Sequence, residues 1–480
     1  MRKFDTKVQH LKYKVLREVA RQAWDDTLLE NFMEIPKIIV PGEEPTMRCC
    51  INKERAILFE RVKMAMGGTR ENPNNIEVLP MACDKCPASG YEVVADSCRN
   101  CLAHSCEESC KFGAVYFDRD HRAHIDKDKC KNCGQCAQNC SFSAIVKRER
   151  PCMKACKVKA ISAEGGKSAV IDNSKCIQCG ACVYKCPFGA ITDKSYILNV
   201  INILKKSKEG KGKVYAIVAP AIYSQFKYAK LGQVVSGLKS LGFHTVVEAA
   251  LGGDMVALKE SRELAEKGFL TTSCCPAFVA YIKSAMPDMV EHVSHNFSPM
   301  VEMAKFIKET DKDARCVFIG PCTAKKGEAK LEKSRPHIDE VLTFEELQAL
   351  FDSRDIELES LPEDVLDNAS YYGRIFARSG GVSEAAAQAL KEQNIDFEAK
   401  PLVCNGIEEC MKALMIASKK LKAGQMPEYN FIEGMACLGG CINGAGCLTH
   451  SEVKNKMEVD KYGKEAMEKS IKDAVDAVMI

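Results

Sequence analysis

The sequence predicts a multidomain α+β chain: a helical N-terminal segment, a duplicated cysteine-dense middle and a C-terminal α/β domain. Three observations carry this. Cysteine density divides the chain, with only Cys49 and Cys50 in residues 1–80, sixteen cysteines in 81–195 and nine in 205–480. The middle holds an internal repeat, AVYFDRDHRAHIDKDKCKNCGQCAQNCSFSAI (114–145) against AISAEGGKSAVIDNSKCIQCGACVYKCPFGAI (160–191). The last region alternates short apolar runs with longer amphipathic stretches, as strand–helix units around mostly parallel sheet do.

Taken in order, Leu11, Val15, Val19 and Ala23 recur at helical spacing and predict an amphipathic helix. Each copy of the repeat carries a short strand pair, an Ile-Asp step and the spacing C-x2-C-x2-C-x3-C. The Lys/Gly-rich KKSKEGKGK (205–213) reads as an exposed linker. Beyond it, VYAIVAP (214–220), HTVVEA (244–249), FLTT (269–272) and RCVFIG (315–320) read as buried strands, and 254–267, 277–286 and 463–478 as helices. The cysteines of this region fall where strands end, which is where α/β folds place their sites.

Composition narrows the function classes. At 480 residues the chain has room for about three domains. Apolar residues at 46% and charged residues at 28% fit a soluble globular protein. Lys plus Arg number 68 against 65 Asp plus Glu, so no imbalance points to nucleic acid or an anionic membrane. No run of 18 apolar residues predicts a membrane span, and MRKFDTKVQHLKYKV has no apolar signal core, so a reducing, cytoplasmic setting is expected. Twenty-seven cysteines, an odd number, then read as metal ligands rather than disulfides.

The spacing says which metal chemistry. Cys130, Cys133, Cys136 and Cys140 form one C-x2-C-x2-C-x3-C run; Cys176, Cys179, Cys182 and Cys186, followed by Pro187, form another. Three thiolates at this spacing wrap one 4Fe-4S cubane, and the fourth reaches a neighbouring cluster in two-cluster ferredoxins. Structural zinc would instead predict C-x2-C pairs, often with histidine. Crossing the repeats gives Cys98, Cys101, Cys106 with Cys140; Cys130, Cys133, Cys136 with Cys110; and Cys176, Cys179, Cys182 with Cys156. By count and proximity, Cys83, Cys86, Cys152 and Cys186 make a fourth set. Sixteen cysteines thus suffice for four accessory cubanes, an electron wire. His104 is left as a bystander. Residues 81–195 carry 18 Lys/Arg against 13 Asp/Glu, an excess that anionic clusters would cancel, so charge names no partner.

Three further motifs lie beyond the linker: TSCCPAF (272–278), GPCTAKKGE (320–328) and EGMACLGGCINGAG (433–446). With the cysteine-rich region they closely resemble FeFe hydrogenases over about residues 81–446. TSCCPAF, MRCC and the second cysteine-rich repeat look most like the anaerobic branch called group B. The resemblance implies tandem ferredoxin-like 4Fe-4S domains in 81–195 and a two-lobed catalytic domain in 205–480. It also implies an H-cluster: a cubane held by Cys275, Cys322, Cys437 and Cys441, bridged to a 2Fe subsite with CO, cyanide and an azadithiolate. Cys274 would relay protons, continued by Glu260, Glu263 and Ser294. Lys325 would hydrogen-bond a cyanide, and Met435, Pro220, Ala221 and Pro321 would line the subsite. Implied partners are hydrogen and protons, a ferredoxin-like electron carrier and maturation proteins for the 2Fe subsite. Gly320, Met300 and Leu438 depart from the family's usual Met, Gln and Pro.

Read without the family, Glu260 and Glu263 would be a solvated helix face and Cys274 a buried thiol. Cys316, Cys404, Cys410 and Cys447 read as core, and Cys49–Cys50 stay unassigned. The leading expectation is an enzyme interconverting hydrogen with protons and electrons. A hydrogen sensor lacks a visible signalling domain, and a non-catalytic iron–sulfur carrier has no need of Cys274.

Overall fold

The structure, a computed structural model, describes residues 4–163, 167–210 and 212–479. Its first long helix, Lys7–Trp24, starts at a capping box in which Thr6 Oγ1 accepts from Gln9 N (3.1 Å) and the Gln9 side chain accepts from Thr6 N (3.3 Å). It buries Val15, Leu16, Val19 and Ala20 against the helices Ile51–Ala65, Ile197–Lys208 and Phe344–Ser353. The N-terminal segment therefore packs on both sides of the cysteine-dense stretch. Strand Ile76–Val78 pairs antiparallel with Ile191–Asp193 and ties the two ends of that stretch together.

Inside it, Val115–Phe117 pairs with Ala123–Ile125, and Ile161–Ser162 with Val170–Ile171, both antiparallel. The duplication goes deeper than the sequence repeat. The amides of Ala114, Ala144, Ala160 and Ala190 donate to Sγ of Cys110, Cys140, Cys156 and Cys186 at 3.2–3.4 Å. In each turn the residue before the alanine takes a left-handed backbone: Gly113, Ser143, Lys159 and Gly189. Two visible copies are thus four copies of one sulfur-turning loop.

The C-terminal region contains two parallel sheets. One has the order Thr245–Glu248, Val214–Val218, Arg315–Gly320, Glu340–Thr343; the other Leu270–Thr271, Phe431–Met435, Pro401–Asn405. The strands Glu340–Thr343, Pro401–Asn405 and Phe431–Met435 lie outside the four expected from sequence.

Two other expectations need correction. The KKSKEGKGK stretch is not all linker: helix Ile197–Lys208 runs through its first four residues, because Val200, Ile201 and Leu204 anchor that helix in the core. Its lysines suit the negative helix end. The expected helix 463–478 is two helices, Glu452–Lys464 and Ile471–Met479. The second starts afresh because Glu392 accepts the free amides of Ile471 (3.2 Å) and Lys472 (2.8 Å). No helix among the described residues is long and apolar enough to cross a membrane.

Candidate metal centre

The two sheets aim their carboxyl ends at one place. Strand Val214–Val218 leads to Pro220 and the fully buried Ala221; Arg315–Gly320 leads to Pro321 and Cys322. Leu270–Thr271 leads to Cys274 and Cys275; Phe431–Met435 ends on Met435, just before Cys437. Cys275 is the N-cap of helix Pro276–Ala285, and Cys441 opens the turn Cys441–Asn443. The local sequence permits each turn. A Cβ on Gly320 would lie 2.5 Å from the Phe318 ring and 3.1 Å from Ala219, so Phe318 takes space that a side chain at 320 would need.

Cys275, Cys322, Cys437 and Cys441 converge there. Burial pushes the Cys322 thiol up to about 11 and Cys441 to about 12, with Cys275 adding to both shifts and Cys322 to that of Cys441. Cys437 is raised well above its ordinary value by burial, then by Cys322, Cys179, Cys275 and Cys441. As thiolates, these four desolvated sulfurs, none in a disulfide, would repel one another unless something positive sat among them. That donor set fits a soft metal cluster.

The other sixteen thiols lie within the cysteine-dense stretch, and several of them come close together. Cys106 lies within electrostatic reach of Cys140 and Cys101, and Cys98 packs beside them. Cys110, Cys130, Cys133 and Cys136 line one cavity. Cys182 faces Cys179, Cys176 and Cys156. Cys152, raised to about 11 by burial, faces Cys186, Cys86 and Cys83. Arg150, which the sequence reading passed over, is buried beside this last group: Nη1 lies 3.9 Å from Cys83 Sγ, and Nε donates to Pro87 O at 2.9 Å. Arg61, also buried, adds a second positive charge near Cys186. A buried arginine in a cysteine-rich stretch is the sequence signal, but only the fold says which sulfur it meets.

The Cys176–Cys182 loop meets the central four directly. Thr323 Oγ1 donates to Gln178 O at 2.9 Å, and a Cβ on Gly180 would lie 2.4 Å from the Ala445 Cβ. Cys179 sits within electrostatic reach of Cys275. His104 stacks on Phe117, ring centroids 3.7 Å apart.

Cys274 points its charge environment the other way. Burial, then Glu260, raises its thiol well above the ordinary value, so it stays protonated. Glu260 and Glu263 share helix Ala249–Lys267. Ser294 Oγ donates to Glu263 Oε2 at 3.1 Å, and both oxygens of the buried Glu260 lack a hydrogen-bond partner among the described residues. Glu263 also accepts from Asn296 Nδ2 (2.8 Å) and pairs with Lys267 and the exposed His295, both at 2.8 Å. Glu260 thus lies within electrostatic reach of the buried Cys274, and Glu263, one helical turn away, is hydrogen-bonded to Ser294 nearer the surface.

Lys325 is buried; its Nζ binds Glu328 at 2.6 Å and Cys274 O at 3.2 Å. Burial favours losing its proton, but Glu328 and the flanking thiols raise its pKa overall and keep it charged. Glu433, a second residue the sequence reading passed over, accepts from Gly380 N (2.7 Å), Ser383 N (2.8 Å) and Ser383 Oγ (2.7 Å) beneath Cys441.

Burial raises Glu260 from 4.5 to about 8. The folded chain therefore holds a proton there that the unfolded chain releases between those values. Its stabilising effect is full below pH 4.5 and lost as pH rises through about 8. Glu260→Gln, always neutral, should match the parent below that window. Its relative stability should grow toward alkaline pH by at most about 1.4 kcal/mol per pH unit, read from denaturant midpoints. A constant difference across the window would show that Glu260 is ionised when folded.

Residues 212–445 match the family described as iron only hydrogenase large subunit, C-terminal domain, and residues 123–146 and 169–192 match the 4Fe-4S binding domain. Iron hydrogenase 1 of Clostridium pasteurianum is 30% identical over 320 residues, 56% of this chain and 55% of that protein. The chain thus spans little more than half of that relative's length. The periplasmic Fe hydrogenase large subunit of Nitratidesulfovibrio vulgaris is 31% identical over 304 residues, 52% of this chain and 71% of that one. Human nuclear prelamin A recognition factor is 27% identical over 309 residues, 52% of this chain and 67% of that one. A solved apo FeFe-hydrogenase variant from Chlamydomonas reinhardtii aligns with TM-score 0.47 at 21% identity, covering 59% of this chain and 93% of that one.

Proposed function

We propose, from the premise that this chain belongs to the iron-only hydrogenase large-subunit family, that it catalyses the reversible interconversion of hydrogen with protons and electrons. The observation that supports this reading is a buried Glu260, raised to about 8, within electrostatic reach of the protonated Cys274, because a protein that only stores or passes electrons needs no buried acid beside its centre.

In this reading Cys275, Cys322, Cys437 and Cys441 would hold the H-cluster. When bound, the cluster supplies the electrons and the iron site for hydrogen chemistry. The chain does the rest. Cys274 exchanges a proton with the centre, Glu260 and Ser294 pass it on, and Glu263 exchanges it at the surface. Lys325 presents a fixed positive charge to cyanide, while Met435, Pro220, Ala221 and Pro321 exclude water. The sixteen cysteines of residues 81–195 would hold four accessory 4Fe-4S clusters, with Cys179 in electrostatic reach of Cys275 and Cys437. A ferredoxin-like carrier supplies electrons, maturation proteins install the 2Fe subsite, and the setting is cytoplasmic. The motif wording supports the group B branch.

The second reading is a non-catalytic iron–sulfur protein, favoured by the similarity to the prelamin A recognition factor. Infrared spectroscopy after competent maturation separates the two. CO and cyanide stretches together with hydrogen evolution support the enzyme; their absence leaves the carrier. Iron analysis tests the wire. With Cys275 and Cys437 changed to serine to empty the central site, about sixteen irons are expected, four per cubane. About twelve would remove the cluster at Cys83, Cys86, Cys152 and Cys186.

A further inference from the structure

The repeat places equivalent residues in unequal surroundings. In the second copy, the face around Cys156 and Cys179 is covered by the C-terminal region. Val158 and Ile177 pack into the core containing Phe278 and Ile407. Lys157 pairs with Glu408 at 3.2 Å, in the first turn of helix Ile407–Lys422. This is the face through which the second copy meets the central four thiols. The first copy presents the same face to solvent. Lys111 and Phe112 stand where Lys157 and Val158 stand, Lys131 replaces Ile177, and Cys133 replaces Cys179; all four are exposed, Phe112 by 46%. Neither lysine has a carboxylate partner among the described residues.

We propose that the face formed by Lys111, Phe112, Lys131 and Cys133 is the electron-entry docking surface for an acidic iron–sulfur carrier protein. The inference rests on the proposed function. The chain itself supplies the template for the complement: on the covered copy it is an apolar patch with a carboxylate at its rim. The basic rim attracts an acidic surface and speeds encounter. Phe112 supplies the apolar centre that such a contact desolvates. One electron leaves the reduced carrier and reduces the cubane held by Cys110, Cys130, Cys133 and Cys136; no bond forms or breaks. The remaining exposed turn, around Phe142, has Ser141 where Lys111 stands, so it lacks the positive charge and serves as the control.

The test is anaerobic stopped-flow reduction of the accessory cubanes in the full chain by a purified acidic two-cubane bacterial ferredoxin, with dithionite as the small reductant. Rates are normalised to iron content. Lys111→Glu and Phe112→Ala should each lower the ferredoxin rate constant on the order of tenfold at low salt, less at high salt, with dithionite reduction unchanged. Phe142→Ala should stay near the parent rate. Zero-length carbodiimide cross-linking of the parent chain should join Lys111 or Lys131 to ferredoxin carboxylates. Unchanged ferredoxin rates in Lys111→Glu, or cross-links confined to other lysines, overturn the proposal. Lys111→Glu is a surface change, so it reads the face even if Phe112→Ala disturbs the cubane. Cluster reduction is read without hydrogen turnover, so failure of the catalytic reading leaves this result interpretable.

Discussion

Cys274→Ala is expected to keep its CO and cyanide infrared bands and to lose hydrogen turnover in both directions. General acid–base groups contribute about 10²- to 10⁴-fold, and a sole relay in a dry site belongs at the upper end. The backbone at this position does not depend on the thiol. Cys274 O is held by Lys325 Nζ at 3.2 Å, the preceding Ser273 Oγ donates to Asn296 O at 2.9 Å, and the following Cys275 begins a helix. What alanine removes is the protonated sulfur beside Glu260, kept protonated by burial and by that carboxyl. Ser294→Ala and Glu260→Ala should share the phenotype, because a broken proton line stops wherever it breaks. Near-parent hydrogen evolution by Cys274→Ala with a fully loaded diiron site would mean that protons enter elsewhere.

Lys326→Met should destabilise the chain by about 3–5 kcal/mol, since it strands buried charge. Lys326 is wholly buried and pairs with Asp193 and Glu346, both at 2.9 Å, while donating to Lys194 O at 2.8 Å. Asp193 also binds Lys12, which reaches Glu345 at 2.7 Å. Two lysines and three carboxylates thus join the first helix, the end of the cysteine-dense stretch and the segment after Cys322. Equilibrium denaturation read from cluster absorbance measures the loss. Lys326→Met with Asp193→Asn and Glu346→Gln should recover much of it, because no unpaired charge remains. A single-variant loss under about 0.5 kcal/mol would show that the carboxylates find other partners.

The contrast between Lys325 and Lys326 also marks how far the sequence carries. The cysteine sets are legible because a cubane imposes its spacing on a few neighbouring residues, so the signal is local. Counting also puts Cys83, Cys86, Cys152 and Cys186 together, and Cys152 lies within electrostatic reach of the other three. The resemblance to FeFe hydrogenases singles out Glu260 and Glu263, whose offset of three puts them on one helix face, and continuous apolar runs mark the strands Val214–Val218 and Arg315–Gly320. Other features depend on contacts distant in sequence. Lys326 meets Asp193 across 133 residues, and nothing local distinguishes it from Lys325. Strand Pro401–Asn405 is an edge strand with Pro401 and Val403 exposed, so its alternation is weak. The break before Ile471 is set by Glu392, about eighty residues upstream in sequence. The left-handed backbone of Lys159 and Ser143 at the loop turns is not legible, because glycine usually signals it.

The most direct test of hydrogen catalysis is isotope exchange: the matured chain is incubated with hydrogen gas in D₂O, and the headspace is followed by mass spectrometry. Steady release of HD by the parent chain, lost in Cys274→Ala while the infrared bands remain, is the expected result. No HD from a chain whose diiron site is fully loaded would contradict hydrogen catalysis at Cys275, Cys322, Cys437 and Cys441.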